Sequence, residues 1–257
     1  MALLAFLGEI GGVAAGLLGF GGGIIMLPLL YYVPPLLGLS QLNVKTVAAV
    51  VISQVFFSTL IGGWVHSRHG RVHKRLVIVA GVLSTAGSLA GAIGSKWLPE
   101  QWVLVLFGLV SLSVALMMVL PMTIQQEEMP ADKIDFSLTH LSLVSCAAGV
   151  VVGLLGAGNF IFVPVLVYVL KIPTRVAIGS SLLIALMNTS GGFLGKLITA
   201  QIPFALTLAV VIGASTGVLL GERLHGRFSI PTLNWIYAGI VWLITIRVWI
   251  TLLLPIN

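Results

Sequence analysis

Apolar residues dominate the chain in long runs separated by short polar clusters. The runs Val44 to Val65, Leu76 to Ser95, Val103 to Leu120, Val176 to Leu194, Phe204 to Leu220 and Trp235 to Leu254 approach or reach the roughly 20 residues that a bilayer-crossing helix needs. Two other runs, Leu3 to Val33 and Leu138 to Leu170, are too long for one ordinary span and too short for two. Each has glycines clustered at its middle. A glycine costs about 1 kcal/mol in a helix interior, so clustered glycines predict a break there. The arms on either side, roughly 12 to 15 residues each, have the length of re-entrant half-helices. The pattern predicts an all-α membrane protein.

The two glycine-broken runs are copies of one another. Gly12 to Leu30 reads GVAAGLLGFGGGIIMLPLL and Gly149 to Leu166 reads GVVVGLLGAGNFIFVPVL, which align once one glycine is dropped. Gly16, Gly19, Gly21 and Pro28 then correspond to Gly153, Gly156, Gly158 and Pro164. Further on, Gly87 and Gly91 correspond to Gly217 and Gly221, and Phe107 and Gly108 to Ala238 and Gly239. Internal repetition on this scale divides the chain into a first repeat over 1–122, a polar linker over 123–137 and a second repeat over 138–257.

Basic residues decide how the broken runs sit in the membrane, because Lys and Arg accumulate in cytoplasmic loops. If both broken runs cross, the loop Lys and Arg divide six against six. If both return as hairpins, nine fall on one side and three, Lys45, Lys96 and Lys196, on the other. Only the hairpin topology satisfies the rule. It leaves three full spans per repeat, an odd number, so the second repeat must be inserted upside down, as in inverted-repeat transporters. Both termini then lie outside, and the loop His66 to Arg75 and the linker inside.

Composition agrees with a membrane solvent. Of 257 residues 58% are hydrophobic and 8% charged, with a mean hydropathy of +1.14, which excludes an ordinary soluble domain. The formal charge of +6 is explained by positive-inside loops and not by nucleic acid. The N-terminus lacks the basic n-region and cleavage site of a secretory signal and reads as part of the first run. The single cysteine, Cys146, lies in an apolar stretch and reads as a buried small hydrophobe. Enzymatic motifs are absent: GFGGGI lacks the last glycine of a dinucleotide fingerprint, and there is no GxSxG, HExxH or cysteine cluster. No cofactor or metal is expected.

Broken backbone at mid-depth needs a polar partner unless it lines a cavity. In GFGGG (Gly19 to Gly23) and GAGN (Gly156 to Asn159), successive amides lead into the next half-helix, a nest that favours an anion. Gly19, Gly21, Gly22, Gly23, Gly156, Gly158 and Asn159 are therefore candidate substrate contacts. Gly12 and Gly16, Gly87 and Gly91, and Gly213, Gly217 and Gly221 have GxxxG spacing and read as helix-packing positions, which also suggests a homodimer. Ser53, Gln54 and Ser58 in one span match Ser180, Ser181, Asn188 and Thr189 in its counterpart. Serines in membrane helices mostly bond backbone, so Gln54 and Asn188, costlier to bury, are the stronger candidates. Lys45 and Arg175 precede these two spans at matching positions, where they could attract an anion or simply snorkel. Glu9 and Arg247 are candidate interior charges, and His66, His69 and His73 fall in a basic loop and read as solvated.

GLLGFGGGIIMLP and GLLGAGNFIFVP resemble the paired glycine-rich signatures of the TauE/SafE sulfite exporter family, and the resemblance extends over nearly the whole chain. It implies an inner-membrane carrier of a small sulfur-containing anion, such as sulfite or an organosulfonate, exporting by alternating access. In the second signature Asn159 and Phe160 stand where the family has glycines, so that an asparagine side chain offers a directed donor at one tip. A passive anion channel and a non-transporting membrane assembly subunit are the alternatives.

Overall fold

The computed structural model of the protein describes all residues except 19–21, 67–72, 120–136, 158–160, 173, 226–229 and 255–257. The described chain is helical: α1 (Ala2–Leu18), α2 (Gly23–Leu36), α3 (Val44–His66), α4 (Lys74–Gly94), α5 (Glu100–Val119), α6 (Leu138–Leu155), α7 (Phe162–Pro164), α8 (Thr174–Ile198), α9 (Phe204–His225) and α10 (Ile230–Leu253). Among the described residues six helices, α3 to α6, α8 and α9, are long and apolar enough to cross a membrane. The linker expected at 123–137 lies outside the described residues except Ser137, whose hydroxyl accepts from the His140 amide at the start of α6.

Helix contact here is made by backbone against backbone. Gly8, Gly12 and Gly16 of α1 face the carbonyls of Val210, Ala214 and Val218 on α9, and Gly213, Gly217 and Gly221 of α9 face those of Ala5, Glu9 and Val13. The second repeat makes the matching contacts with the first: Gly149 and Gly153 of α6 face Ser84 and Ser88 on α4, and Gly87 and Gly91 of α4 face Cys146 and Val150 on α6. At every one of these glycines a Cβ would stand between 1.8 and 2.3 Å from the opposing carbonyl oxygen. The packing reading of the GxxxG positions therefore holds, and these faces are consumed within one chain instead of joining two copies.

The registers fix directions. Residue numbers rise together along α1 and α9, and along α4 and α6, so each pair is parallel. Along α8, Met187, Gly191 and Gly195 meet Gly81, Thr85 and Ala92 of α4 in rising order, so α4, α6 and α8 all point the same way. In the first repeat, Gly22 packs on the Gly11 carbonyl and Met26 Sδ lies against Gly11, which places α2 back alongside α1. The other spans close the bundle: Trp249 Nε1 of α10 donates to the Gly108 carbonyl of α5 at 3.2 Å, and the Tyr32 hydroxyl of α2 to Thr251 Oγ1 of α10 at 3.1 Å.

Two expectations on arm length need correction. The first arms, at 17 and 18 residues, are longer than half-helices, and α6 is itself of membrane length. Gly149 and Gly153 do not interrupt it, because their missing side chains are what admit α4. The return arms also differ. α2 is a 14-residue helix, whereas in the second repeat α7 passes at once into a π-helical turn, Val165–Val169, in which the Leu170 amide donates to the Val165 carbonyl at 3.1 Å.

The outward surface is apolar: Ile78, Leu109, Leu116, Leu208, Ile212, Leu243 and Ile246 are all exposed, as a lipid-facing wall requires. Trp97 and Trp102 are exposed where α4 ends and α5 begins, and Trp235 near the start of α10, consistent with interfacial aromatic belts. Gly217→Ala is expected to force α1 and α9 apart and cost several-fold in folded yield. Gly94→Ala, with nothing within 4 Å of the new methyl, is expected to be neutral or more stable by about 1 kcal/mol. Thermal unfolding of both variants in detergent checks the pair.

Candidate functional site

The described residues flanking the two glycine-rich breaks meet each other. Gly22 takes a left-handed conformation, φ 67°, immediately before α2, and its carbonyl accepts from the Ile25 and Met26 amides. Gly23 then abuts the Ala157 carbonyl of the other tip, 1.8 Å from where a Cβ would stand, and Val55 of α3. Gly156, φ 69°, closes α6 and lies against the Ala48 carbonyl of α3. Its amide donates to the Val152 carbonyl at 2.8 Å, so its part is the turn and not a free donor. The N-terminus of α2 is thus buried, where its partial positive charge favours an anion. Gly19, Gly21, Gly158 and Asn159 lie outside the described residues.

Polar side chains of α3 and α8 sort clearly. Ser53 Oγ donates to the Ala49 carbonyl at 2.7 Å, the ordinary back-bond of a membrane serine. Ser180 Oγ accepts from the His73 amide at 3.2 Å and is engaged in holding the start of α4; Ser181 is buried and also partnered. Gln54 Nε2 donates to Ser58 Oγ at 2.8 Å, but Gln54 Oε1 is buried without a partner. Asn188 is fully buried with neither Nδ2 nor Oδ1 bonded to any described residue. Leaving a buried polar atom unpaired costs about 1–3 kcal/mol, so three such carboxamide atoms are retained against stability.

These residues flank a point where equivalent positions of the two repeats touch. Thr59 and Thr189, equally far past Lys45 and Arg175, bring their hydroxyls to 3.5 Å. Each also back-bonds in the same way, Thr59 to the Val55 carbonyl and Thr189 to the Ala185 carbonyl. Ser58 and Asn188 directly precede them. On the same pair of helices Phe56 stacks on Phe193 with centroids 5.2 Å apart.

Charged candidates fare differently. Lys45 Nζ donates to the Lys96 carbonyl at 2.9 Å at the end where α3 begins; the side chain of Arg175 is outside the described residues. Arg247 sits over the Tyr32 ring at 5.1 Å, beside a cavity of about 750 Å³ lined also by Tyr31, Gln101 and Thr251. His73 is not a solvated loop residue: it is buried, and its Nδ1 accepts from the Leu76 amide at 3.0 Å as the N-cap of α4. Cys146 is half-buried rather than buried. Sequence reading missed Lys196, which is fully buried and donates to Ser95 Oγ and Gln201 Oε1. The run ending at Leu194 puts it in a loop, although its apolar neighbours Leu194, Leu197 and Ile198 are the signal that it belongs to a helix.

Membrane-length helices with lipid-compatible walls define a multi-pass membrane protein, and among its described residues the carboxamides of Gln54 and Asn188 are buried with unpaired atoms. The chain matches the family Sulfite exporter TauE/SafE over residues 4–248 and belongs to it, and so is a membrane transporter and not an enzyme. Relatives include a "Probable membrane transporter protein" of Xylella fastidiosa, 30% identical over 230 residues, covering 86% of this chain and 84% of that protein. The "Probable membrane transporter protein YdhB" of Bacillus subtilis is 23% identical over 217 residues, with 82% and 85% covered. No solved structure matches significantly.

Replacing Asn188 by Leu removes two unpaired polar atoms and keeps the number of side-chain heavy atoms and the branch at Cγ, so Asn188→Leu is expected to raise stability by about 1–3 kcal/mol. A lower melting temperature in detergent would contradict the unpaired state of this side chain.

Proposed function

We propose that the protein is a secondary transporter that exports a small sulfur-containing anion, sulfite or an organosulfonate, by alternating access between two inverted repeats. The observation that carries the site is Asn188, a fully buried carboxamide with no partner among the described residues, beside the contact between equivalent threonines. An oxyanion accepts several hydrogen bonds, and Asn188 Nδ2 together with the buried N-terminus of α2 supplies donors and positive potential without a fixed charge. A modest binding energy suits a carrier, which must also release its cargo.

Re-entrant hairpins are supported by direction and by ends. Since α6 and α8 both run parallel to α4, the chain between them must carry itself back. Lys45, Ser95 and Gln201 gather at one end, which requires an even number of crossings between α4 and the end of α8. With α1 parallel to α9, α1 also starts at that end, as α3 does. By charge count that end is the outer one. The family description supports sulfite as the first substrate to test.

Sulfite efflux from proteoliposomes is expected to fall by at least about tenfold in Asn188→Leu while the protein stays folded; unchanged flux would remove α8 from the site. For topology, on a Cys146→Ser background, Ser40→Cys and Ala200→Cys are expected to react with an impermeant thiol reagent applied outside intact cells. Ser137→Cys is expected to react only after permeabilisation. Labelling of Ser40→Cys and Ala200→Cys from opposite sides would contradict the hairpins.

A further inference from the structure

Where α3 begins and α4 and α8 end, two lysines are held together with only neutral acceptors. Lys196 is fully buried although it lies near the end of its helix, where a lysine would ordinarily snorkel out. Its Nζ donates to Ser95 Oγ and, at 3.1 Å, to Gln201 Oε1. Gln201 is fixed in turn, its Nε2 donating to the Ala92 carbonyl at 3.2 Å and to Thr199 Oγ1 at 2.7 Å. Lys45 donates to the Lys96 carbonyl, one residue along from the Ser95 hydroxyl that Lys196 engages, so both ammonium groups gather at this end.

Among the described residues no carboxylate stands within ion-pair distance of Lys196, and Glu100, an acid at this end, is bonded to Asn43. Burying an ammonium group beside a second one, with no anion between them, is strongly unfavourable, so the amine either gives up a proton or is held charged by an anion that visits. The donors for it remain. An ammonium has three protons, of which Lys196 commits two and Lys45 one. Ser95 is buried beside them, and half-exposed Lys45 opens the cluster toward solvent.

We infer that Lys196 and Lys45, with Lys196 positioned by Ser95 and Gln201, form an oxyanion-binding station at the outer mouth, separate from Asn188. The inference rests on the transport reading for its cargo: the station takes the substrate between the internal site and the outer solution.

The bland counterpart is that Lys196 only pins α8 to α4, and the two differ in sign. Thermal unfolding of the full chain in detergent is followed while sodium sulfite is titrated, with sodium chloride as the ionic-strength control. The expected result is that Lys196→Met melts at or above the wild-type temperature in chloride, because Ser95 can still donate to Gln201 Oε1. It should also need at least about tenfold more sulfite for half of the stabilisation, with Lys196→Arg retaining most of the response. A Lys196→Met protein that melts lower and keeps the wild-type sulfite midpoint overturns the station.

If Lys196→Met fails to fold, Lys45→Gln serves, with a several-fold weaker response expected and an unchanged one overturning the proposal. Proteoliposome flux separates the two readings. Sulfite flux that depends on Asn188 but is indifferent to Lys196→Met at subsaturating sulfite leaves the transporter and removes the station. No flux, with Lys196-dependent stabilisation by sulfite intact, removes the transport reading and leaves the station.

Discussion

Everything else in this structure depends on carbonyl oxygens of one helix filling the space where side chains of another would be. In lipid no hydrophobic gain draws apolar helices together, so association comes from close van der Waals contact and from whatever polar groups can be paired. Glycine ladders along α1 and α9, and along α4 and α6, bring backbones to the shortest approach available. Each of the four glycine contacts between α4 and α6 has its counterpart among the six between α1 and α9.

That rigidity is what gives the interior its chemistry. A glycine with φ 67° and one with φ 69° flank the two glycine-rich breaks, and each is wedged against backbone, Gly22 on Gly11 and Gly156 on Ala48. Between them α3 and α8 present a small set of polar groups, most of them back-bonded and quiet, with Gln54 and Asn188 as the exceptions. A scaffold that tolerates unpaired carboxamides is stabilised elsewhere, here by the ladders.

Much of this was legible in the chain. The apolar runs located α3, α4, α5, α8, α9 and α10 to within a few residues, because solvation by lipid acts on every side chain of a span. GxxxG spacing correctly announced packing. Gln54 and Asn188 stood out because amides are expensive in hydrocarbon. What was not legible depended on tertiary neighbours. The uninterrupted course of α6 through Gly149 and Gly153 requires knowing that α4 lies against it. The burial of Lys196 requires Ser95 and Gln201, remote in sequence, to close over it. His73 looked like one basic-loop residue among several, and only the geometry at the start of α4 makes it a cap.

The crossed pairing of the ladders has a consequence for how the protein is made. Of the described helices α1 leaves the ribosome before the others, yet its partner α9 follows seven more, while α4 waits only for α5 and then α6. Until α9 arrives, the glycine face of α1 has no mate, and a helix so poor in side-chain volume holds weakly in place. Of the two ladders, that between α4 and α6 is the one that can close first. The N-terminal helix is stitched in at the end, and a chain cut short before α9 would leave its own beginning loose.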